Sequence, residues 1–367
     1  MSGCGCSFSP AEEIKEEVKY TDALAEQFAK EVGVDPRPNE TLVEIDERGA
    51  FIRQPNAFIQ PFGDEEGDLK AEANRYGIYW ATGCNWSNRP IIVRDLLGLQ
   101  DVISDTRVTH SGETNSYGHA FGDQPGFKDP KTGAYFLSEF YKRANSDFKG
   151  RATTPSLVDI KEKKAVNNDY HRLTNYIEVQ FRPFQPKDAP DLYPKKFRKE
   201  IDEFNDWLFP HVNNGHYRMA FCQSPEAYDE AYEDFYESLE KLDKRLETNR
   251  FLFGDYITDS DIRLYTTLAR FDYSYSRNIG PCVHRLVDYK NLWPYARDLY
   301  QIPAFRHNTY FKDFAASEDL THAPEDYWEN VYYDIVVQET DWDTIWSQPT
   351  GREALSKDPA HKWKAEK

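Results

Sequence analysis

The spacing of apolar residues predicts a strand, a helix and a second strand in the first half of the chain. The run YGIYWA at 76–81 combines β-branched and aromatic residues, which favours a buried strand. Apolar residues then recur at helical spacing over 91–97 and stop at Gly98, and another strand is predicted at 101–110. A unit of this order and length is typical of a βαβ crossover.

The segment that follows extends this pattern to a full α/β domain. A helix is predicted at 136–144, then a hairpin formed by TPSLVDI and KKAVNND, and then a helix from about Asn168. The order β-α-β-α-β-β-α is that of a thioredoxin-like domain, provided that Pro155, which opens a strand after Thr154, is cis. We therefore expect such a domain over residues 76–181.

The second half of the chain changes to helical periodicity without strand signals. The prolines of 182–194 mark a linker, and four helical stretches follow from about residue 195. Thr258 and Asp261 have the spacing of a capping box at the start of one of them. The predicted organisation is an N-terminal extension, a thioredoxin-like domain, an all-helical domain and a C-terminal extension, at residues 1–75, 76–181, 195–323 and 324–367.

Length and charge narrow the range of partners. A chain of 367 residues is long enough for two or three domains. Its net charge of −18 repels phosphate backbones and anionic membrane surfaces, so nucleic acid is not expected as a partner. No run approaches the roughly 18 apolar residues that a membrane helix needs, so no membrane association is expected. Aromatic residues reach 15 %, which suggests pockets for flat apolar ligands.

The cysteines and histidines bear on compartment and metal binding. The cysteines are few, odd in number and scattered, which argues against a disulfide framework and for a reducing compartment: Cys4, Cys6, Cys84, Cys222 and Cys282. The first residues have neither the basic nor the apolar region of a signal peptide, so we expect a cytoplasmic protein. No group has metal-ligand spacing beyond the weak C-x-C of the terminus, and no metal is predicted.

Cys84 is the strongest candidate for chemistry. It lies between the first predicted strand and the N-terminus of the next helix, where unpaired N–H groups and the helix dipole favour a thiolate. An inert, buried cysteine is the alternative reading of the same position. Pro90 lies about six residues into this helix and is expected to kink its first turns.

Two further groups of residues have both a structural and a functional reading. Tyr217 and Tyr275 lie in helical context, and such tyrosines are candidate acids only if they face Cys84 across the domain boundary. Asn168 and Asp169 lie at a strand-to-helix junction, where helix amides can receive a carboxylate. The same two residue types also cap helices when no ligand is bound, which is the simpler interpretation.

Several motifs together resemble those of one enzyme family. They are GCNWSNR at 83–89, GRATTP at 150–155, VNND at 166–169, NNGHYRMAF at 213–221, and the longer runs at 250–275 and 291–303. This set is similar to that of the glutathionyl-hydroquinone reductases, which are the Xi class of glutathione transferases. The resemblance extends over residues 50–315 or so.

The resemblance implies a fold, a reaction and roles for individual residues. The fold is a thioredoxin-like N-terminal domain followed by a helical glutathione-transferase domain, usually as a homodimer. The reaction is the reduction of glutathionyl-hydroquinones by glutathione. Cys84 matches the nucleophile that attacks the glutathionyl sulfur to give a mixed disulfide, which a second thiol resolves. Tyr217 matches the proton donor to the departing ring carbon, and Tyr275 matches a tyrosine that holds the thiolate.

The resemblance also implies a site for glutathione or a related thiol. The matching residues are Thr154 and Pro155 for the cysteinyl part, Asn168, Asp169 and Tyr170 for the γ-glutamyl part, and His119 in the position of a packing tryptophan.

Three departures from the family pattern fall at or near this site. Asn85 replaces a proline after the cysteine, and Asp169 with Tyr170 replaces a Glu-Ser pair. The family's tryptophan has no counterpart in 116–121, where Tyr117 or His119 stands. The second site tyrosine of the family has no clear match, with Tyr310 as the nearest candidate. A different thiol, an omega-like thiol transferase or dehydroascorbate reductase, and a non-catalytic ligand-binding protein with a drifted glutathione site therefore remain open.

Overall fold

The computed structural model describes most of the chain, and the architecture below refers to the following residues: 20–33, 35–40, 42–110, 116–277, 279, 283–314 and 339–357. The interpretations of Cys4, Cys6 and Cys282 fall outside these ranges. The described strands are β1 (Tyr76–Trp80), β2 (Ser104–Arg107), β3 (Thr109–His110), β4 (His119–Ala120), β5 (Ser156–Asp159) and β6 (Lys164–Asn167).

Helices dominate the rest of the described chain. The N-terminal half contains α1 (Asp22–Val32), α2 (Asn85–Leu96), α3 (Ser138–Ala144) and α4 (Leu173–Gln180). The C-terminal half contains α5 (Arg198–Leu208), α6 (Gly215–Phe221), α7 (Pro225–Arg245), α8 (Asp259–Phe271), α9 (Leu292–Tyr300), α10 (Pro303–Arg306), α11 (Phe311–Phe314) and α12 (Trp342–Trp346). A π-helical turn, Phe209–Asn213, joins α5 to the segment before α6.

The main sheet has the order β2-β1-β5-β6, as a thioredoxin-like domain requires. Strand β1 is parallel to β2 and antiparallel to β5, and β6 is antiparallel to β5. Helix α2 connects the parallel pair, which confirms the expected crossover unit. The Thr154–Pro155 bond is cis and directly precedes β5, as expected.

Two predicted boundaries are wrong. The strand expected at 101–110 ends its pairing with β1 at Arg107, and the next two residues form β3, which pairs with β4 instead. The helix expected from Asn168 begins only at Leu173. The reason is that the Asn168 N–H donates to the Phe58 carbonyl, so the chain there follows a different partner before it turns into the helix.

Helix α2 continues through Pro90 to Leu96, so the proline does not end it. The helix begins only five residues earlier, and the missing proline N–H costs a single intrahelical bond there. In the helical half, the capping box at α8 is present as predicted, because Asp261 accepts from the Thr258 N–H at 2.8 Å while Thr258 caps the first turn.

One hydrophobic core joins the two halves. All five residues of β1 are buried, and so are all thirteen of α8. The two elements belong to the same cluster of buried side chains, with α2 packed between them. Trp346 of α12 is also fully buried and donates to the Tyr273 hydroxyl at 2.6 Å. Helix α8 is therefore the element through which the helical half contacts the start of α2.

Across the ranges that the structure describes, none of the helices is both long enough and apolar enough to cross a bilayer.

Candidate active site

Cys84 is the N-cap residue of α2, at the carboxyl end of β1. Its N–H donates to the Ala81 carbonyl at 3.0 Å, which closes a tight turn, and its side chain is half-buried. The sulfur lies 3.6 Å from the carbonyl oxygen of Thr154, the residue before the cis proline. The thiol is thus held between a helix N-terminus and the loop that leads into β5.

The sulfur lies on a cleft of about 1030 Å³. Five of the predicted site residues line it together, namely Cys84, His119, Thr154, Tyr170 and Tyr217. A cavity of this size can hold a small peptide thiol and an aromatic ring side by side. Within the described part of the chain, no group of three or more His, Cys, Asp or Glu side chains is arranged to hold a metal ion.

Tyr275 lies behind Tyr217 rather than on the cleft. The two hydroxyl oxygens are 3.1 Å apart, and the imidazole of His216 stacks on the Tyr275 ring at 3.5 Å. Burial raises the pKa of Tyr217, and the nearby Cys84 raises it further. Burial also raises the pKa of Tyr275 well above its ordinary value. Both phenols therefore keep their protons at neutral pH, and only Tyr217 can present one to a ligand.

Asn168 and Asp169 lie away from the cleft, where protein groups satisfy them. The Asn168 Oδ1 accepts from the Phe58 N–H at 2.9 Å, and its Nδ2 donates to the Thr153 hydroxyl at 3.2 Å. The Asp169 carboxylate accepts from the Asn56 side chain at 3.1 Å. Pro155 likewise does not line the cavity. The structure thus places these residues as supports for residues 56–58 and for the turn beside Thr154.

Tyr170 and Tyr310 stand at two positions where the sequence departs from the family pattern or has no clear match to it. The Tyr170 ring packs on Trp86, with ring centroids 5.1 Å apart, and forms part of the cleft surface. Tyr310 packs on Trp80 and accepts from the guanidinium of Arg107, outside the cleft lining. Tyr310 is therefore poorly placed to act on a ligand beside Cys84.

Arg270 of α8 holds the loop before Cys84, a contact that no sequence pattern predicts. Its guanidinium donates to the carbonyls of Thr82 and Gly83, each at 3.0 Å, and to the Thr266 carbonyl at 2.8 Å. The side chain is 1 % exposed. These bonds hold the two carbonyls of the loop before Cys84 against α8 and so help to position the start of α2.

Asn85, which stands where the family has proline, also connects α2 to α8. Its Nδ2 donates to the Thr267 hydroxyl at 3.1 Å, and its Oδ1 accepts from the Thr266 hydroxyl at 2.5 Å. Asn213 donates to the same Thr267 hydroxyl at 2.9 Å. The departure from proline therefore has a structural explanation: the amide exchanges a preorganised first turn for two buried bonds between the halves.

Residues 42–58, called here the N-terminal segment, form one side of the cleft. Glu44, Arg53, Gln54 and Asn56 line the cavity. The segment is attached by the two hydrogen bonds between Phe58 and Asn168. It is also attached by the Gln54 side chain, which donates to the Arg151 carbonyl at 3.0 Å. Sequence reasoning treated this region only as an extension, because its contacts with the cleft have no periodic pattern.

Comparisons with known proteins agree with this architecture. The family model described as the C-terminal domain of glutathione S-transferase matches residues 225–298. Glutathionyl-hydroquinone reductase YqjG of Escherichia coli K12 is 38 % identical over 272 residues, which are 72 % of this chain and 82 % of that protein. Glutathione S-transferase omega-like 2 of Schizosaccharomyces pombe is 33 % identical over 285 residues, which are 75 % of this chain and 90 % of that protein.

Solved structures show the same similarity. The glutathione S-transferase Xi of Phanerochaete chrysosporium has a TM-score of 0.70 at 33 % identity, covering 76 % of this chain and 90 % of its own. The glutathione-bound structure of YqjG from Escherichia coli K-12 has a TM-score of 0.68 at 31 % identity, covering 83 % and 98 %.

Fold and matches together define a glutathione transferase, with a thioredoxin-like domain followed by a helical one. More specifically, the chain belongs to the Xi class, the family of the glutathionyl-hydroquinone reductases, and is an enzyme of that type.

Proposed function

We propose that this enzyme reduces glutathionyl-hydroquinones and that Cys84 is its nucleophile. The observation that carries the proposal is the position of the Cys84 sulfur, at a helix N-terminus and on the same cleft as Tyr217. A thiolate is favoured at such a position, and a buried phenol beside it supplies the acid. Glutathionyl-hydroquinone reductases among the relatives support the substrate class.

The proposed reaction has two steps. The Cys84 thiolate attacks the glutathionyl sulfur, so that an S–S bond forms while the bond from sulfur to the ring carbon breaks. The electron pair of that bond stays with the ring carbon, which takes a proton from Tyr217. A second thiol then gives up its proton, which restores the Tyr217 hydroxyl, and attacks the glutathione sulfur of the mixed disulfide. Cys84 is released as thiolate, and the second thiol leaves as a disulfide with the first glutathione. Tyr275 donates to or accepts from Tyr217 and keeps its hydroxyl oriented.

The thiol partner is proposed to be glutathione or a close relative. Thr154, His119 and Tyr170 line the cleft next to Cys84 and are proposed to contact it. Pro155, Asn168 and Asp169 are proposed to act by holding the turn and residues 56–58 in place. The structure of a relative with glutathione bound supports this choice.

We also propose that the protein is a cytoplasmic homodimer. Light scattering should then give twice the mass of one chain. A measured mass equal to that of one chain would contradict the dimer.

The test of the nucleophile is the release of free hydroquinone from its glutathionyl adduct in the presence of glutathione, followed by chromatography. Cys84→Ser should lower kcat by more than about 1000-fold, because a hydroxyl at this site does not ionise at neutral pH. Cys222→Ser is the matched control, since Cys222 ends α6 away from the cleft and its sulfur contacts the Met219 carbonyl at 3.2 Å. Full activity of Cys84→Ser would refute the proposal.

A second candidate is an omega-like thiol transferase or dehydroascorbate reductase, which the names of other relatives favour. Attack by Cys84 at the sulfur of a mixed disulfide would use the same cleft but would not need Tyr217. Rates with dehydroascorbate, a glutathionyl disulfide and a glutathionyl-hydroquinone should distinguish the two. A higher kcat/KM with the first two substrates, unaffected by Tyr217→Phe, would favour the transferase.

A further inference from the structure

Arg53 of the N-terminal segment enters the cleft between aromatic rings. Its guanidinium carbon lies 4.5 Å from the ring centroid of Trp86, 4.4 Å from that of Tyr217 and 5.4 Å from that of Phe51. Rings on several sides fix the orientation of a planar guanidinium and exclude water from its faces. The cation is thus held in place beside the proposed proton donor.

The hydrogen bonds of Arg53 are incomplete. Its Nε donates to the Asn214 side chain at 2.6 Å, while neither Nη1 nor Nη2 donates to any protein group in the described ranges. The two other arginines of the cleft each form an ion pair: Arg37 pairs with Asp35 at 2.5 Å, and Arg151 pairs with Glu44. No described carboxylate lies within ion-pair distance of Arg53. A charged donor that is left unpaired in a partly desolvated site strongly favours the binding of an anionic acceptor.

The charge around the cleft points the same way. The cavity is lined by five Lys and Arg residues and three Asp and Glu residues, in a chain whose net charge is −18. Asp35, which pairs with Arg37 from outside the lining, reduces this excess to one positive charge, which still favours anions in a chain that is acidic overall. Arg53 is the lining arginine that no carboxylate of the described residues neutralises, and it contacts the ring of Tyr217.

We infer that Arg53 binds an anionic oxygen carried by the quinol ring, so that the preferred substrates are quinol thioethers with a carboxylate or a comparable acidic group on the ring. The inference rests on the proposed function, because that function places the ring between Cys84 and Tyr217. A guanidinium next to Tyr217 would meet a substituent near the carbon that is protonated. The alternative source of the same chemistry is a carboxylate of the thiol, and the experiment separates the two.

The experiment compares two substrates that differ by one carboxylate. The glutathionyl adducts of hydroquinone and of 2,5-dihydroxybenzoate are each assayed for kcat/KM with the full-length enzyme, and the ratio of the second to the first is the readout. The wild-type ratio should exceed one. Arg53→Met should lower it about tenfold, which is the scale of one charge-assisted hydrogen bond. Arg53→Lys should restore part of the ratio, because it keeps the charge.

Arg48→Met is the matched control, since Arg48 lies in the same segment, is exposed and contacts Glu230 outside the cleft. It should keep the wild-type ratio. A wild-type ratio of one or below would overturn the inference without any variant. So would an Arg53→Met enzyme in which both substrates lose activity equally, and a matching rise in KM for glutathione would then assign Arg53 to the thiol. Cleavage of neither adduct by the wild-type enzyme would instead overturn the proposed function, and the inference with it.

Discussion

The two sides of the cleft are held in different ways. On the side of Cys84, buried neutral groups of α2 are bonded to α8, as Asn85 is to Thr266 and Thr267. On the side of the N-terminal segment, part-buried hydrogen bonds and partly exposed ion pairs predominate, as in Phe58 with Asn168 and Arg151 with Glu44. Buried bonds are costly to break, whereas exposed pairs contribute little. The position of Cys84 should therefore be costlier to disturb than that of the N-terminal segment.

Tyr217 lies where the two sides meet, and its removal should have the largest effect after that of Cys84. Tyr217→Phe should lower kcat for hydroquinone release by about 100-fold or more, because general acid catalysis contributes on that scale. Tyr275→Phe should cost less, since its hydroxyl is behind that of Tyr217 and off the cleft. Steady-state assays of both variants give the order. A Tyr217→Phe rate within twofold of wild type would remove it from the mechanism.

Arg270 tests whether the Cys84 side depends on exact positioning. Arg270→Met should lower kcat by about 10-fold to 100-fold, because a displacement of about 1 Å at a reacting atom costs that much. The KM for glutathione should change little, and Arg270→Lys should recover part of the rate. The rate of Cys84 alkylation against pH, followed by peptide mass spectrometry, should also shift in Arg270→Met. An unchanged alkylation profile in a folded variant would contradict a positioning role.

The two sides should also differ in their contribution to stability. Asn85→Ala should lower the free energy of unfolding by about 1–3 kcal/mol, because it removes two buried hydrogen bonds between α2 and α8. Arg48→Met, which removes an exposed ion pair of the N-terminal segment, should change it by no more than the experimental error. Urea unfolding of both variants measures the contrast. Equal losses would mean that the two sides are held alike.

Local sequence signals predicted the parts of this site that depend on neighbouring residues. The position of Cys84 at a helix N-terminus and the capping box of α8 each follow from a few adjacent residues, whereas the cis Pro155 was a condition set by the order of the elements. The remaining contacts join distant residues, such as Arg270 with Thr82, 188 positions apart. Apolar periodicity shows which face of a helix is buried but not which buried polar group meets which carbonyl. The order of the strands was predictable because it follows from local patterns along the chain, whereas these contacts join residues that are distant in the sequence.

Asn168 shows how a distant contact changes a local prediction. The asparagine suits a helix start, but its backbone and side chain both bond to Phe58, 110 positions away. The helix begins later because Asn168 forms its hydrogen bonds with Phe58 and does not cap the helix. The contribution of the N-terminal segment to the cleft could not be predicted for the same reason, because it depends on contacts between residues that are distant in the sequence.

A pH-dependent prediction concerns His171, which packs on Phe209 with ring centroids 4.4 Å apart. Burial, reinforced by nearby arginines, lowers the pKa of His171 from 6.5 to about 4. The unfolded chain therefore binds this proton more readily, and the free energy of unfolding should fall as pH drops from about 6.5 toward 4. His171→Gln should fall less steeply over that range in urea titrations. Parallel curves for variant and wild type would show that the imidazole is not held neutral.

The attachment of residues 42–58 has a consequence for engineering. This stretch bonds to the thioredoxin-like half at Phe58 and Gln54 and to the helical half at Gly49 and Arg53, and the guanidinium of Arg53 contacts the ring of Tyr217. Because it is one continuous stretch, residues 42–58 can be exchanged as a unit. Grafting the equivalent stretch from a relative should transfer ligand preference between enzymes while the catalytic sulfur and its scaffold stay as they are.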